Sequence, residues 1–312
     1  MIKYLVVLLD DASPSFCHYT HTRDKRNLIS LDLLKDAVFY AMRENLVIQY
    51  VYPGYDLPEG YSDVIGEMTH VNIVPLKSEL HADAVVIEGF DELNDSANVL
   101  RAGVPYVLRT DHKTFMKEWK SLTSRLEIIS RLNIVYTDIC DFRDEDSEKY
   151  AEALNAFSEV LKTLASKGKY PQVNILTDRM LLGRMNNCNA GVESITLAPD
   201  GRFYVCPGFY YDGLGSVGSP ADGLCIKNPH LYELEYAPIC RICDSYHCKR
   251  CVWMNRKTTL EVNTPSHEQC VMSHIERNAS RAFVLSLKDD RMSDEIPEID
   301  YLDPFDELIK NR

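Results

Sequence analysis

Cys240-Arg241-Ile242-Cys243-Asp244-Ser245-Tyr246-His247-Cys248-Lys249-Arg250-Cys251 is the densest run of sulfur in the chain, and its four cysteines read C-x2-C-x4-C-x2-C. Upstream, Cys188 and Cys206 read C-x12-G-x4-C through Gly201 in the turn Pro199-Asp200-Gly201. Cys225 lies between the two groups, and Cys270 follows Cys251 after eighteen residues. Eight of the ten cysteines thus fall between 188 and 270, a density that asks for one shared cause. Thiolates are soft ligands for zinc or iron–sulfur clusters, and C-x2-C delivers two sulfurs to one centre. Disulfides are the competing cause. The opening Met1-Ile2-Lys3-Tyr4 runs straight into Leu5-Val6-Val7-Leu8-Leu9 and then acidic residues, too short for a secretory apolar region. A reducing, cytoplasmic setting is therefore expected, and there a cysteine cluster binds metal. By spacing alone Cys240, Cys243, Cys248 and Cys251 suit one closed tetrahedral zinc site, which leaves Cys188, Cys206 and Cys270 without a task.

The chain around this stretch is an ordinary globular one. Its 312 residues can bury a real core, and no apolar run approaches the length of a bilayer span. The formal net charge of −13 argues against a nucleic-acid partner. Residues 1–180 alternate strands and helices. Tyr4–Leu9, Leu46–Val51, Val71–Val74, Ala84–Ile87, Pro105–Leu108, Asn133–Tyr136 and Gln172–Leu176 are short apolar runs suited to strands buried on both faces. One helix is expected from Ser30 as N-cap to about Asn45, with Leu33, Leu34, Ala37, Val38 and Ala41 on one face. A second runs from about Asp146 to Lys167 and stops at Gly168, and a third carries Phe115, Trp119, Leu122 and Leu126. Alternation of this kind predicts a parallel sheet, closed into a full or partial barrel, with the chemistry at the carboxyl ends of the strands.

With that layout in place, the 188–270 pattern resembles the SPASM domain, the auxiliary-cluster module at the C-terminus of radical S-adenosylmethionine enzymes that modify peptides. The first half of that signature is complete here, from Cys188 through Gly201 to Cys206-Pro207, with Leu214-Gly215-Ser216-Val217 in the following segment. The central gaps are four and two where the family has five and three. The resemblance implies that Cys188, Cys206 and Cys251 ligate one [4Fe–4S] cluster and that Cys240, Cys243, Cys248 and Cys270 ligate another. Cys225 is either a further ligand of the first or a buried spare thiol. The loop after the first strand resembles the radical S-adenosylmethionine loop, C-x3-C-x2-C, with Ser13, Cys17 and Thr20 at the ligand positions. Only the middle thiol remains, and hydroxyls protonated at neutral pH are poor substitutes for thiolates. The Gly-Gly-Glu that follows the family's second strand is replaced by Tyr52-Pro53-Gly54-Tyr55-Asp56-Leu57-Pro58. Both changes put S-adenosylmethionine binding in doubt.

A degenerate radical barrel ahead of a cluster-rich end is similar to the CXXX-repeat peptide maturases. That resemblance implies an α/β fold, a partial (β/α) barrel of the radical S-adenosylmethionine type over 1–180, then a SPASM-like iron–sulfur domain over 181–285 and an acidic extension over 286–312. It implies a Cys-rich precursor peptide and a companion maturase as partners, and two [4Fe–4S] clusters for electron transfer or substrate ligation. The competing reading is a non-catalytic scaffold whose cysteines hold structural clusters or zinc. Elsewhere, Cys17 with His18 and His21, the run Arg23, Lys25 and Arg26, and His247 each have a site reading beside an ordinary packed or solvated one. The Asp111-His112 pair is expected to cap a helix.

Overall fold

The computed structural model describes residues 1–20, 26–95, 99–185 and 188–289. Nine strands make up its mostly parallel main sheet. They are β1 (Tyr4–Leu8), β2 (Val47–Val51), β3 (His70–Pro75), β4 (Ala84–Glu88), β5 (Pro105–Thr110), β6 (Arg131–Tyr136), β7 (Gln172–Val173), β8 (Ser194–Leu197) and β9 (Phe203–Tyr204). The chain divides into two compact units, Met1–Val86 with Asn189–Glu233, and Ile87–Cys188 with Leu234–Arg312. The expected boundary at 180/181 follows the change in residue chemistry; compactness cuts the chain elsewhere, and each unit draws on both halves. The cysteine-rich stretch is divided with it. Cys206 and Cys225 belong to the first unit, whereas Cys188, Cys240, Cys243, Cys248, Cys251 and Cys270 belong to the second.

In the first unit β1 lies between β2 and β8, parallel to both, with Tyr4 opposite Val47 on one side and Ser194 on the other. Leu5, Val7, Leu8 and Leu9 are fully enclosed, as a run without polar alternation requires. The expected helix spans Leu31–Glu44: the Ser30 hydroxyl accepts from the Leu33 N–H at 3.2 Å, and Asn45 ends it in the left-handed conformation. Beyond β8 the chain reverses at Pro199-Asp200-Gly201. Gly201 has φ +83° there, and β9 returns antiparallel to β8.

In the second unit β5, β6 and β7 are parallel neighbours. The long helix forms over Ser147–Ser166 and stops before Gly168, whose φ of +75° only glycine adopts freely. Phe115, Trp119 and Tyr136 interlock with its own Tyr150 and Phe157 by edge-on and tilted contacts. One expectation needs correction. Gln172–Leu176 is a strand for two residues only, and the helix Asn174–Leu181 begins at once. The Asn174 amide accepts from the Ile134 N–H at 2.7 Å and donates to the Ile134 carbonyl at 2.9 Å, closing the edge of β6 as a third strand residue would have done. With the edge satisfied, the backbone is released into a helix.

A candidate cysteine-ligated centre

The segment Cys240–Cys251 is a chain of tight turns. A single 3-10 turn covers Cys240–Ile242, and the Cys243 N–H donates to the Cys240 carbonyl at 3.2 Å. The Ser245 N–H then donates to the Cys243 sulfur, and the Arg250 N–H to the Cys248 sulfur, each at 3.4 Å. Two residues after each of these cysteines, therefore, a backbone dipole points at sulfur, the arrangement that stabilises negative charge there.

The helix His267–Asp289 supplies the wall. Cys270, Ser273, His274 and Arg277 recur at helical spacing and share one face. His274 Nε2 lies 3.6 Å from the Cys243 sulfur, the Ser245 hydroxyl donates to the Ser273 carbonyl, and Arg277 Nη1 meets Asp244 Oδ1 at 2.9 Å. Asp244 is also clamped from the helix Asn174–Leu181: Arg179 Nη2 reaches Oδ2 at 2.7 Å and Arg179 Nε donates to the Asp244 carbonyl. His247 is not a surface residue, nor does it address a cluster sulfur. It is buried, with Nε2 at 3.0 Å from Glu276 Oε2, and Glu276 also accepts from the Tyr150 hydroxyl at 2.7 Å.

These anchors bring Cys240, Cys243, Cys248 and Cys270 together in one electrostatic neighbourhood. Burial pushes the Cys240 thiol far up, and Cys248, Cys270 and Cys243 act on it as well, while Arg250 pulls it down. Burial raises Cys270 to about 12, reinforced by Cys248 and Cys243, and raises Cys248 to about 11. Without a bound group, then, the quartet holds neutral thiols at pH 7, and binding a metal or cluster expels their protons. Among the described residues, no group of three or more His, Cys, Asp and Glu is closed to the geometry of a single metal ion. The donor set suits an iron–sulfur cluster: soft sulfurs from two elements, N–H groups aimed at two of them, and guanidinium groups alongside. In the same unit Cys251 is buried and caps the helix Val252–Thr259, and Cys188 is exposed. In the first unit Cys206 is partly buried and leads into the helix Pro207–Tyr211. Cys225 is exposed rather than a buried spare.

The loop after β1 is organised differently. Ser13 is fully buried; its hydroxyl donates to the Val51 carbonyl at 2.8 Å and accepts from the Asp10 N–H at 3.2 Å. Cys17 is partly buried and Thr20 exposed, while His21, Arg23 and Lys25 lie outside the described residues. Asp10 accepts from the Tyr55 hydroxyl at 2.7 Å, and Asp11 from that of Tyr210 at 2.7 Å. Burial, then the Asp10 hydrogen bond, push the Tyr55 phenol up to about 12, so the proton of that bond stays on tyrosine. Arg26 is exposed, as a solvated charge run requires, and lays its guanidinium 3.7 Å over the Tyr55 ring.

Asp111 caps the helix His112–Glu118 as expected, accepting from the Thr114 N–H at 2.7 Å. His112 is fully buried between Asp138 (2.6 Å) and Asp146 (3.3 Å), a clamp that adjacency in sequence does not reveal. The helical recurrence of Cys270, Ser273, His274 and Arg277 is the one sequence signal that would have located the wall of the quartet.

No protein-family model matches the chain, and no curated protein matches it. Solved structures do. Polyhistidine-tagged anSMEcpe with bound AdoMet is similar over 94% of this chain and 97% of its own, with a TM-score of 0.66 at 12% identity. Native anSMEcpe with bound AdoMet and Cp18Cys peptide is similar over 93% of this chain and 100% of its own, with a TM-score of 0.64 at 12% identity. At that identity the likeness is one of fold: the chain has the α/β fold of the radical S-adenosylmethionine type. No described helix is long and apolar enough to cross a membrane.

Proposed function

We propose that this chain is a component of a peptide-modification system whose cysteine-rich part carries two [4Fe–4S] clusters. Cys240, Cys243, Cys248 and Cys270 hold one, and Cys188 and Cys251 of the same unit are ligands of the other. The observation that carries the reading is the gathering of Cys240, Cys243, Cys248 and Cys270 in one neighbourhood, with backbone N–H groups directed at two of the sulfurs. Such clusters supply one-electron transfer or, with an open iron, a place for a substrate thiolate. The chain's own contribution is to fix the four sulfurs, bury Cys240 and partly shield the other three, and present N–H dipoles to the negative charge they acquire. Arg179 and Arg277 hold Asp244 and so fix the turn between Cys243 and Cys248.

The partner under this reading is a Cys-rich precursor peptide, consistent with a neighbour of the same fold whose structure contains a peptide. The neighbour also contains AdoMet, but the β1 loop here keeps one thiol, and the Ser13 hydroxyl is committed to Val51 and Asp10. We therefore place no radical-initiating cluster in that loop and assign the reaction's radical step, where there is one, to a companion maturase.

Iron, zinc and acid-labile sulfide measured on protein purified without oxygen test the reading. About eight irons with as many sulfides are expected. About twelve would return a third cluster, and S-adenosylmethionine with it, to the β1 loop; zinc without sulfide would leave an interaction module. Addition of a Cys-rich peptide to the reduced protein is expected to change its electron paramagnetic resonance spectrum. An unaltered spectrum, with the peptide shown to be bound, would leave the scaffold reading.

A further inference from the structure

The helix His267–Asp289 meets the cysteine turns along one seam, and side chains fix that seam at three places. The Ser245 hydroxyl donates to the Ser273 carbonyl at 3.4 Å, His274 Nε2 lies 3.6 Å from the Cys243 sulfur, and Arg277 Nη1 meets Asp244 Oδ1 at 2.9 Å. Of these three contacts, the one made by His274 falls on sulfur. His274 is partly buried and stands one helical turn after Cys270, on the same face.

The direction of the His274 contact follows from the state of the sulfur. A thiol can donate its S–H to an imidazole nitrogen or accept from it; a metal-bound thiolate has lost its proton and only accepts. Once Cys243 is a ligand, Nε2 therefore carries the hydrogen and donates to a negatively charged sulfur. It joins the Ser245 N–H, which reaches the same sulfur at 3.4 Å from the cysteine's own turn. A backbone N–H is supplied there whatever the side chain. The imidazole is supplied by the choice of residue at 274.

We propose that His274 is a positioning residue that donates from Nε2 to the Cys243 sulfur and raises the reduction potential of the centre bound there. The inference rests on the proposed cluster at Cys240, Cys243, Cys248 and Cys270. Reduction by one electron from a chemical reductant such as dithionite adds one negative charge to the cluster and its sulfurs, and no bond forms or breaks. A hydrogen bond to sulfur stabilises the reduced state more than the oxidised one, so the potential rises.

The test is a redox titration of the full chain, followed by electron paramagnetic resonance, for wild type, His274→Leu and His274→Gln, with iron and sulfide measured on each. Leucine keeps the bulk and removes the donor; glutamine keeps an N–H at a similar reach. With clusters retained, Leu is expected to lower the ratio of reduced to oxidised cluster at a fixed potential about tenfold, a shift of about 59 mV for one electron. Gln is expected to restore most of the wild-type value. A wild-type potential in Leu overturns the proposal, as does a potential in Gln as low as that in Leu. Loss of the cluster in both variants means that His274 acts by packing, and the proposal falls; loss in Leu alone, with a near-wild-type potential in Gln, upholds it. Electron–nuclear double resonance of the reduced protein in light and heavy water supplies a signature that packing does not move. Leu is expected to lack one exchangeable-proton coupling that wild type has, and an identical set overturns the proposal. So does the strong nitrogen coupling of a metal-bound imidazole in wild type, which would make His274 a ligand. A wild type that holds zinc and no sulfide defeats the cluster reading separately. The donor is then judged by the rate at which a chelator removes the metal, expected to be faster in Leu than in wild type, and an equal rate overturns it.

Discussion

Two regions of this chain have the look of a ligand set, and they differ in what their polar atoms already do. In the first unit, the loop after β1 offers Ser13, Cys17 and Thr20. There the Ser13 hydroxyl serves β2, and Asp10 and Asp11 are each closed by a tyrosine hydroxyl. In the second unit, Cys240, Cys243, Cys248 and Cys270 act on one another electrostatically, backbone N–H groups point at two of the sulfurs, and His274 lies against one of them. The polar atoms of the first region are engaged in packing, whereas two sulfurs of the second accept backbone N–H groups. Residue type alone does not separate the two regions; what differs is what the side chains are already bonded to.

The sharpest way to break the contrast is to remove a sulfur on each side. Cys248→Ala is expected to lose roughly half the iron and sulfide, about four of eight, while Cys17→Ala leaves both unchanged. Iron analysis of the two variants side by side decides it, and a loss of iron from Cys17→Ala would restore the β1 loop as a cluster site.

Next in size is the Asp244 clamp. Its three side chains are almost wholly enclosed, so Arg277→Leu leaves Asp244 with one cation and is expected to cost about 3 kcal/mol in a denaturant titration. A change under about 1 kcal/mol would mean that the clamp does not fix the turn.

Tyr210→Phe removes one hydroxyl from buried Asp11. It should destabilise by about 1–2 kcal/mol and leave metal content untouched. Altered iron in this variant would contradict the packing role given to the loop.

The smallest effect concerns pH. Partial burial raises the Asp146 carboxyl, but the Arg143 N–H and His112 outweigh it and hold its pKa below the ordinary value. Asp111 behaves alike, with the Thr114 hydrogen bonds outweighing burial. A depressed carboxylate adds stability above its unfolded value, about pH 4, and the contribution disappears as pH falls through the lower folded value. Asp146→Asn should therefore flatten the acid limb of the unfolding midpoint below about pH 4 and change its shape little at pH 7. An acid limb identical to that of wild type would remove Asp146 from the account.

The sequence by itself determined what depends on near neighbours. The Ser30 cap, the Asn45 and Gly168 stops, the Gly201 turn, the parallel α/β pattern and the Asp111 cap are all decided within a few residues, because dihedral preference and side-chain-to-backbone hydrogen bonds act at that range. The cysteine spacing likewise raises the expectation of a soft-ligand centre. Only tertiary structure decided the rest. Asn174–Leu176 left the sheet because the Asn174 amide met Ile134 of the neighbouring strand; Arg26 found Tyr55; His247 found Glu276. Cys270 shares a helix face with His274, which reaches the Cys243 sulfur, and Arg250 was enclosed rather than left in water. Each of these outcomes depends on which groups the fold brings together and whether water still reaches them. Burial is what turns an ordinary thiol, carboxylate or guanidinium into one that must find a partner.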